Sequence, residues 1–384
     1  MFNDSLVNKF KQLKTPFYYY DVDLLKDTLT AVKNETDKYG YIVHYAVKAN
    51  ANKRILEVIN KYGFGSDCVS GNEIKRSLET GFPPDKIVFA GVGKSDEEIL
   101  TGLDNNIFCF NCESMQEMEV INDLAGQRNK KADIALRINP NIDPKTHHYI
   151  TTGLEENKFG INRWELDKII RALSGLSNIN LISLHFHIGS QITDMEIFRS
   201  LCIHVNEVQE WFSKHDIYFP HLNVGGGLGV DYQRPDKNPI NDFGSFFKIF
   251  HDILELKQGQ KLHFEIGRAL VAQCGFLISR VLYIKEGVNT DFIILDAGMT
   301  ELIRPALYQA YHKIENLSSR NKKRKYDVVG PICESSDTFG KSVMLPETKR
   351  GDLIAIRTTG AYGEVMASQY NLRNLPEAVY SDEI

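Results

Sequence analysis

Between residues 41 and 265 eight short apolar runs alternate with amphipathic stretches of helical period, and no other feature constrains the fold as tightly. The apolar runs fall at 41–47, 65–69, 87–90, 107–110, 134–138, 181–187, 221–224 and 261–265. Helices are expected between them, near 52–62, 72–80, 114–125, 164–173, 195–214 and 246–256. One more opens at Ser95, whose side chain can cap the free N–H groups of an acid-rich first turn. Ser114 and Glu117 have the spacing of a reciprocal capping box. A long loop separates the strand at 134–138 from the helix near 164. Eight strand–helix units over about 225 residues predict a closed (β/α)8 barrel, an α/β fold of the TIM-barrel type. On periodicity alone an open doubly wound sheet is the competing arrangement.

After Gly275 the texture changes. Runs at 277–284, 292–295, 326–329 and 352–356 read as strands joined by turns, with little helical periodicity between them. The tail is therefore expected to be a mostly β domain, with the early run Pro16-Phe-Tyr-Tyr-Tyr20 a candidate to pack with it. The expected boundaries are 24–275 for the barrel and 276–384, joined by 1–23, for the β-rich domain. A chain of 384 residues suits two domains of that size.

A net charge of −5 argues against a general nucleic-acid binder. The basic run Arg320-Asn-Lys-Lys-Arg-Lys325 reads as a solvated loop, with a polyanion site as the sharper alternative. Six cysteines scattered over the chain suit a reducing compartment. Cys109 and Cys112 form one CxxC without a second pair to complete a zinc site; inside Ile107-Phe-Cys-Phe-Asn-Cys112 they read as buried thiols rather than a redox pair. No signal peptide is visible, and no apolar stretch approaches the roughly 20 residues of a membrane helix. The expected location is the cytoplasm.

In a barrel, chemistry gathers where strands end. Lys48 closes the first strand in Tyr45-Ala-Val-Lys-Ala-Asn50. Desolvation disfavours an ammonium there and frees the amine for Schiff-base chemistry, although a snorkelling or salt-bridged lysine fits the same position. His185 and His187 end the sixth strand on one side of it, as a metal HxH pair, as an imidazole stacked on a flat cofactor beside Ser190, or as a satisfied core histidine. Gly225-Gly-Gly-Leu-Gly229 follows the seventh strand, where a glycine turn exposes N–H groups able to cradle a phosphate; a tight turn without ligand is the plain alternative. Glu265-Ile-Gly-Arg268 ends the eighth, offering an acid for a pyridine nitrogen and a guanidinium for the phosphate, or simply an ion pair. Gly91-Val-Gly-Lys-Ser95 lacks the earlier glycine of a phosphate-binding P-loop. Lysine, histidine, glycine turn, arginine and acid at strand ends together describe a pyridoxal-phosphate site.

These motifs, with Cys333-Glu-Ser-Ser-Asp337 and Gly360-Ala-Tyr-Gly363, make the chain resemble the fold-type III pyridoxal-phosphate-dependent decarboxylases over nearly its whole length. Ile303-Arg-Pro-Ala-Leu-Tyr308 resembles the branch that acts on meso-2,6-diaminopimelate and separates it from ornithine and arginine decarboxylases. The resemblance implies pyridoxal 5'-phosphate held covalently by Lys48, stacked on by His187, and bound by Ser190, Gly226, Gly227, Gly267 and Arg268, with Tyr362 at its edge and Glu265 at the pyridine nitrogen. It implies Arg304, Tyr308 and Glu334 as substrate residues, helped by Arg268 and Tyr362, and Cys333 as the proton donor entering from the partner of a homodimer. The product implied is L-lysine, by loss of CO2 from the D-configured centre in the last step of lysine biosynthesis. One departure is Ile266, where the family usually has proline; the extra backbone freedom costs about 1 kcal/mol through the unfolded chain. The rivals are a catalytically silent relative, which would tend to lose Lys48 or Cys333, a decarboxylase of another basic amino acid, and a metal-dependent barrel hydrolase.

Overall fold

In a computed structural model, residues 2–142 and 158–384 are described. The chain forms two compact units, one of Leu29–Gly229 with Asp242–Gly267, the other of Met1–Thr28, Val230–Asn241 and Arg268–Ile384.

The first unit is a closed parallel barrel of eight strands, Ile42–Ala46, Gly65–Cys68, Ile87–Phe89, Cys109–Cys112, Ala132–Ile138, Ile179–Phe186, His221–Asn223 and Lys261–Ile266. The last pairs with the first in the register His44 to Glu265, so no edge remains. Helices between strands start where the sequence supplies caps. Asn52 accepts from Arg54 N ahead of Lys53–Asn60, Ser70 from Glu73 N ahead of Gly71–Glu79, and Asp194 from Glu196 N ahead of Met195–Ser213. Ser95 and Glu98 complete a capping box at Asp96–Asp104. Ser114 and Glu117 realise only half of the expected one: Ser114 Oγ caps Glu117 N, but the Glu117 carboxylate bonds Glu113 N and Lys94 instead.

Three further readings need correction. The strand expected at 107–110 lies two residues later, at Cys109–Cys112. Asn106, at φ 52°, ends the preceding helix, and Ile107 N still bonds Gly102 O, so the first part of that apolar run belongs to a turn. The helix near 164 opens as a 3-10 turn, Arg163–Glu165, before Leu166–Leu173. The helix expected at 246–256 is Phe243–Ile253, set three residues earlier by its cap Asp242. Most of the long loop before residue 164 lies outside the described residues.

At the amino end of the strands three imidazoles form a chain, His221 Nδ1 to His263 Nε2 and His263 Nδ1 to His44 Nε2, each at 2.9 Å, with His44 Nδ1 on Lys86 O at 3.0 Å. Since Lys86 O can only accept, the neutral chain carries every proton on Nδ1. Burial pushes His44 down to about 4 and His263 to about 2.

The second unit is built on an eight-stranded sheet. Its path runs Ile314–Asn316, Leu353–Ile356, Gly275–Lys285, Asp291–Leu295, Lys323–Val329, Thr338–Pro346. Phe17–Tyr20 joins it as expected, antiparallel to Gly275–Lys285 and parallel to Glu377–Tyr380. Phe10, Phe17, Tyr19, Phe276 and Ile278 form its apolar centre. The basic run is not simply a loop: Lys323, Arg324 and Lys325 begin a strand, and Arg320 and Arg324 pair with Asp4 and Asp291 at 2.8 Å.

Candidate active site

One group of the expected site residues lies at the carboxyl ends of the barrel strands. Lys48 sits just past Ile42–Ala46 in the 3-10 turn Val47–Ala49, its Nζ 3.3 Å from Asp67 Oδ2 on the neighbouring strand. Burial pushes Asp67 up to about 7, Glu265 adds to the rise, and Lys48 opposes it. The amine thus stands at a strand end beside an acid, within reach of a ligand seated there.

Glu265 is buried and accepts three hydrogen bonds. Asn111 Nδ2 and Asn223 Nδ2 donate to Oε1 at 2.9 and 2.8 Å, and His185 Nε2 donates to Oε2 at 2.9 Å. Burial works against its charge, yet the interaction with His185 and the Lys48 ammonium outweigh burial and hold it well below the ordinary carboxylate range. The barrel therefore keeps a formal negative charge in a dry interior, which is what holding a ring nitrogen protonated requires.

His187 stands one residue beyond Ile179–Phe186, and its Nδ1 accepts from Gly226 N at 3.4 Å. Burial, then the charges of Arg137 and Lys48, lower its pKa well below 6.5, so the ring is neutral. A flat uncharged imidazole suits stacking. His185 and His187 do not converge as a metal pair, because His185 is committed to Glu265. Among the described residues no group of three His, Cys, Asp or Glu is placed to hold a metal ion.

The glycine turn has no room for side chains: a Cβ on Gly226 would lie 2.0 Å from Glu265 O. It is clamped on both sides, by Glu265 N to Gly225 O at 2.7 Å and Ile192 N to Gly227 O at 2.9 Å, which brings the loop bearing Ser190 beside it. Gly267 lies against the Ala46 and Ala49 methyl groups, with 3.0 Å for an added Cβ. Ile266 is buried opposite Tyr45 in the strand register, so barrel pairing fixes the backbone where proline is usual. A cradle bare of side chains, an ionised buried carboxylate, a neutral ring and a poised lysine fit pyridoxal phosphate.

The remaining residues belong to the second unit. Arg268 Nη1 donates to Tyr232 Oη at 2.6 Å, and its guanidinium lies 4.7 Å from the centre of the Tyr362 ring. Tyr362 holds a left-handed φ of 57° two residues after Gly360, where a Cβ would lie 1.9 Å from Val271 O. Arg304 opens the short helix Arg304–Tyr308, is buried, and lies 5.3 Å over the other tyrosine of the set, Tyr232. Its Nε finds no partner among the described residues. A buried guanidinium with an unpaired donor is costly unless a further partner or a nearby anion offsets it. Cys333 is exposed, in contrast to the other five cysteines, and Glu334 beside it accepts from Tyr370 Oη at 2.7 Å. Asp337 closes that loop by accepting from Ile332 N at 2.7 Å and Met299 N at 2.6 Å, so this acid of the Cys333-Glu-Ser-Ser-Asp337 motif is architectural.

Five participants escape the sequence reading: Asp67, Asn111, Arg137, Asn223 and Tyr232. Asp67 and Arg137 carried the same signal as Lys48, a charge inside an apolar strand, and Arg137 pairs with buried Glu113. Lys94, the lysine of the P-loop-like segment, is locked by Gly91 O, Asn111 O and Glu117.

The family described as "Pyridoxal-dependent decarboxylase, pyridoxal binding domain" matches residues 23–272. Diaminopimelate decarboxylase of Bacteroides thetaiotaomicron is 57% identical over 98% of this chain and 98% of its own. That of Aquifex aeolicus is 39% identical over 96% of this chain and 87% of its own. The crystal structure of diaminopimelate decarboxylase from Helicobacter pylori complexed with L-lysine superimposes with a TM-score of 0.90 at 41% identity, covering 97% of this chain and 93% of that one. The chain therefore belongs to the pyridoxal-dependent decarboxylases, and among them to the diaminopimelate decarboxylase family.

Proposed function

We propose that this enzyme removes CO2 from meso-2,6-diaminopimelate to give L-lysine, working as a cytoplasmic homodimer. The observation that carries the reading is the buried Glu265, held ionised by Asn111, Asn223 and His185 at the strand ends that also bear Lys48 and His187. Lys48 would be the covalent anchor of the cofactor; Ser190, Gly226, Gly227, Gly267 and Arg268 would hold its phosphate, with His187 for its ring, Tyr362 for its edge and Glu265 for its pyridine nitrogen. When bound, pyridoxal 5'-phosphate supplies the conjugated sink for the electron pair of the breaking carbon–carboxylate bond.

The residues of the chain do the rest. Arg304, Tyr308 and Glu334 read the end of the substrate that does not react, with Arg268 and Tyr362 assisting, and the guanidinium charge of Arg304 supports its pairing with the far carboxylate. Cys333 Sγ delivers a proton to the substrate carbon that has lost its carboxylate, and its exposure supports service in a partner's site. The barrel expected within 24–275 then binds the cofactor through Leu29–Gly229 and Asp242–Gly267, and 276–384 with 1–23, joined by 24–28, 230–241 and 268–275, forms the domain that completes the site across the dimer. No helix among the described residues is long and apolar enough to cross a membrane, and five buried free thiols suit a reducing cytoplasm.

Incubating the cofactor-loaded protein separately with meso-diaminopimelate, L-ornithine, L-arginine and L-lysine, and measuring CO2, tests the proposal. Release from diaminopimelate alone is expected. Release from another member of the set overturns the substrate assignment, and no release from any overturns the reaction.

A further inference from the structure

Glu334 lies on an exposed loop, where a carboxylate side chain ordinarily samples several rotamers. Here the loop is held from a second segment. Tyr370 Oη donates to Glu334 Oε1 at 2.7 Å, and Asn371 Oδ1 accepts from Cys333 N at 3.4 Å. Consecutive residues thus grip the acid and the thiol, one through its carboxylate and the other through its backbone.

That second segment is in an unusual conformation. Within Tyr370–Leu372, Asn371 has φ 55° and Leu372 has φ 56°, and leucine has little tendency to enter the left-handed region. Such a backbone persists where its surroundings over-determine it. Apolar burial is not the reason, because Tyr370 is 48% exposed and Leu372 97%. The restraints are polar. Ser368 N bonds Thr300 O at 2.9 Å on one side, and Arg373 Nη2 donates to Asp296 O at 2.5 Å on the other. Between these anchors the turn aims Tyr370 and Asn371 at the Cys333–Glu334 pair.

We infer that Tyr370 is a positioning residue that fixes the Glu334 carboxylate for the distal ammonium of a diamino dicarboxylic substrate, occupying Oε1 and leaving Oε2 to the ligand. The inference rests on the decarboxylase reading above. It adds a residue that never touches substrate, acts through Glu334, and sharpens selection for substrates whose far end carries a charged amine. The phenol remains a donor across the neutral range, because its hydrogen bond to Glu334 and the charge of that carboxylate raise its pKa.

Tyr370→Phe in the cofactor-loaded dimer removes the hydroxyl alone. The expected result is a KM for meso-diaminopimelate raised about tenfold and a Kd for L-lysine, which retains the same far end, weakened in parallel. The kcat should stay within about twofold, with cofactor absorbance and melting temperature unchanged. In a Glu334→Gln background the same change should add little, because the partner it positions is already lost. Unchanged KM and L-lysine affinity, or a full additional loss in the Glu334→Gln background, overturns the role of Tyr370. Wild-type turnover of diaminopimelate separates the two claims: its absence overturns the substrate assignment, whereas its presence beside an unaltered Tyr370→Phe enzyme overturns this inference alone.

Discussion

The strand ends of the barrel and the Cys333–Glu334 loop of the second unit solve opposite problems. At the strand ends Glu265 is buried and receives three side-chain donors. On the loop Cys333 and Glu334 are exposed, and their restraints come from Tyr370, Asn371 and Asp337. Charge that must act in a dry place has its hydrogen bonds built into the barrel wall, since an uncompensated buried charge is costly. The exposed thiol and carboxylate are kept in solvent and restrained only in direction. The first arrangement couples chemistry to fold stability, whereas the second separates them.

Lys48→Ala attacks the strand-end region at its part-exposed lysine. It should lower kcat by about a thousandfold or more and abolish the covalently held cofactor signal, as measured by CO2 release and absorbance. Glu265→Gln keeps the shape and removes the charge, and a fall in kcat of roughly a hundredfold with the cofactor still bound is expected. A variant with full activity would separate the buried charge from the chemistry.

Acid tests the buried imidazoles at the other end of the same barrel. His44 is neutral in the fold with a pKa of about 4, owing first to burial, whereas in the unfolded chain it charges below about 6.5. The unfolded state therefore binds the extra proton, so this stability is complete above about pH 6.5 and is lost as the pH falls toward about 4, by on the order of 3 kcal/mol. Urea midpoints at pH 7 and pH 5 should diverge in the wild type and less so in His44→Asn; equal divergence would dismiss the histidine chain as the cause.

Cys333→Ala probes the exposed region. A loss of kcat of about tenfold to a hundredfold is expected from removing a proton donor, with the melting temperature within about 1 °C of wild type. A large fall in melting temperature would erase the contrast between the two regions.

How much of this was legible in the sequence follows the same division. Barrel strands and caps were readable because apolar period and capping chemistry are local signals, as at Ser95 with Glu98. The run at 107–112 misled because apolar character alone does not say which residues turn and which pair. In the second unit Thr338–Pro346 and Glu377–Tyr380 went unread, their exposed faces being polar and their pairing set by distant chain. Lys48, His187 and the glycine turn stood out as residue types that barrel strand ends do not need for packing. Asn111 and Asn223 did not, since an uncharged amide inside a short apolar run gives no sign that a carboxylate 154 or 42 residues further along requires it. Tyr370 was invisible for a similar reason: its partner is fixed by a turn whose backbone conformation no local rule announces.

The central claim is that Lys48, beside Asp67 and the Glu265 network, anchors the cofactor. Borohydride reduction of the cofactor-loaded protein, followed by peptide mass spectrometry, addresses it directly. The account predicts the reduced cofactor on the peptide containing Lys48 and on no other. Attachment to another lysine such as Lys94, or no attachment in an enzyme that still releases CO2, would contradict it.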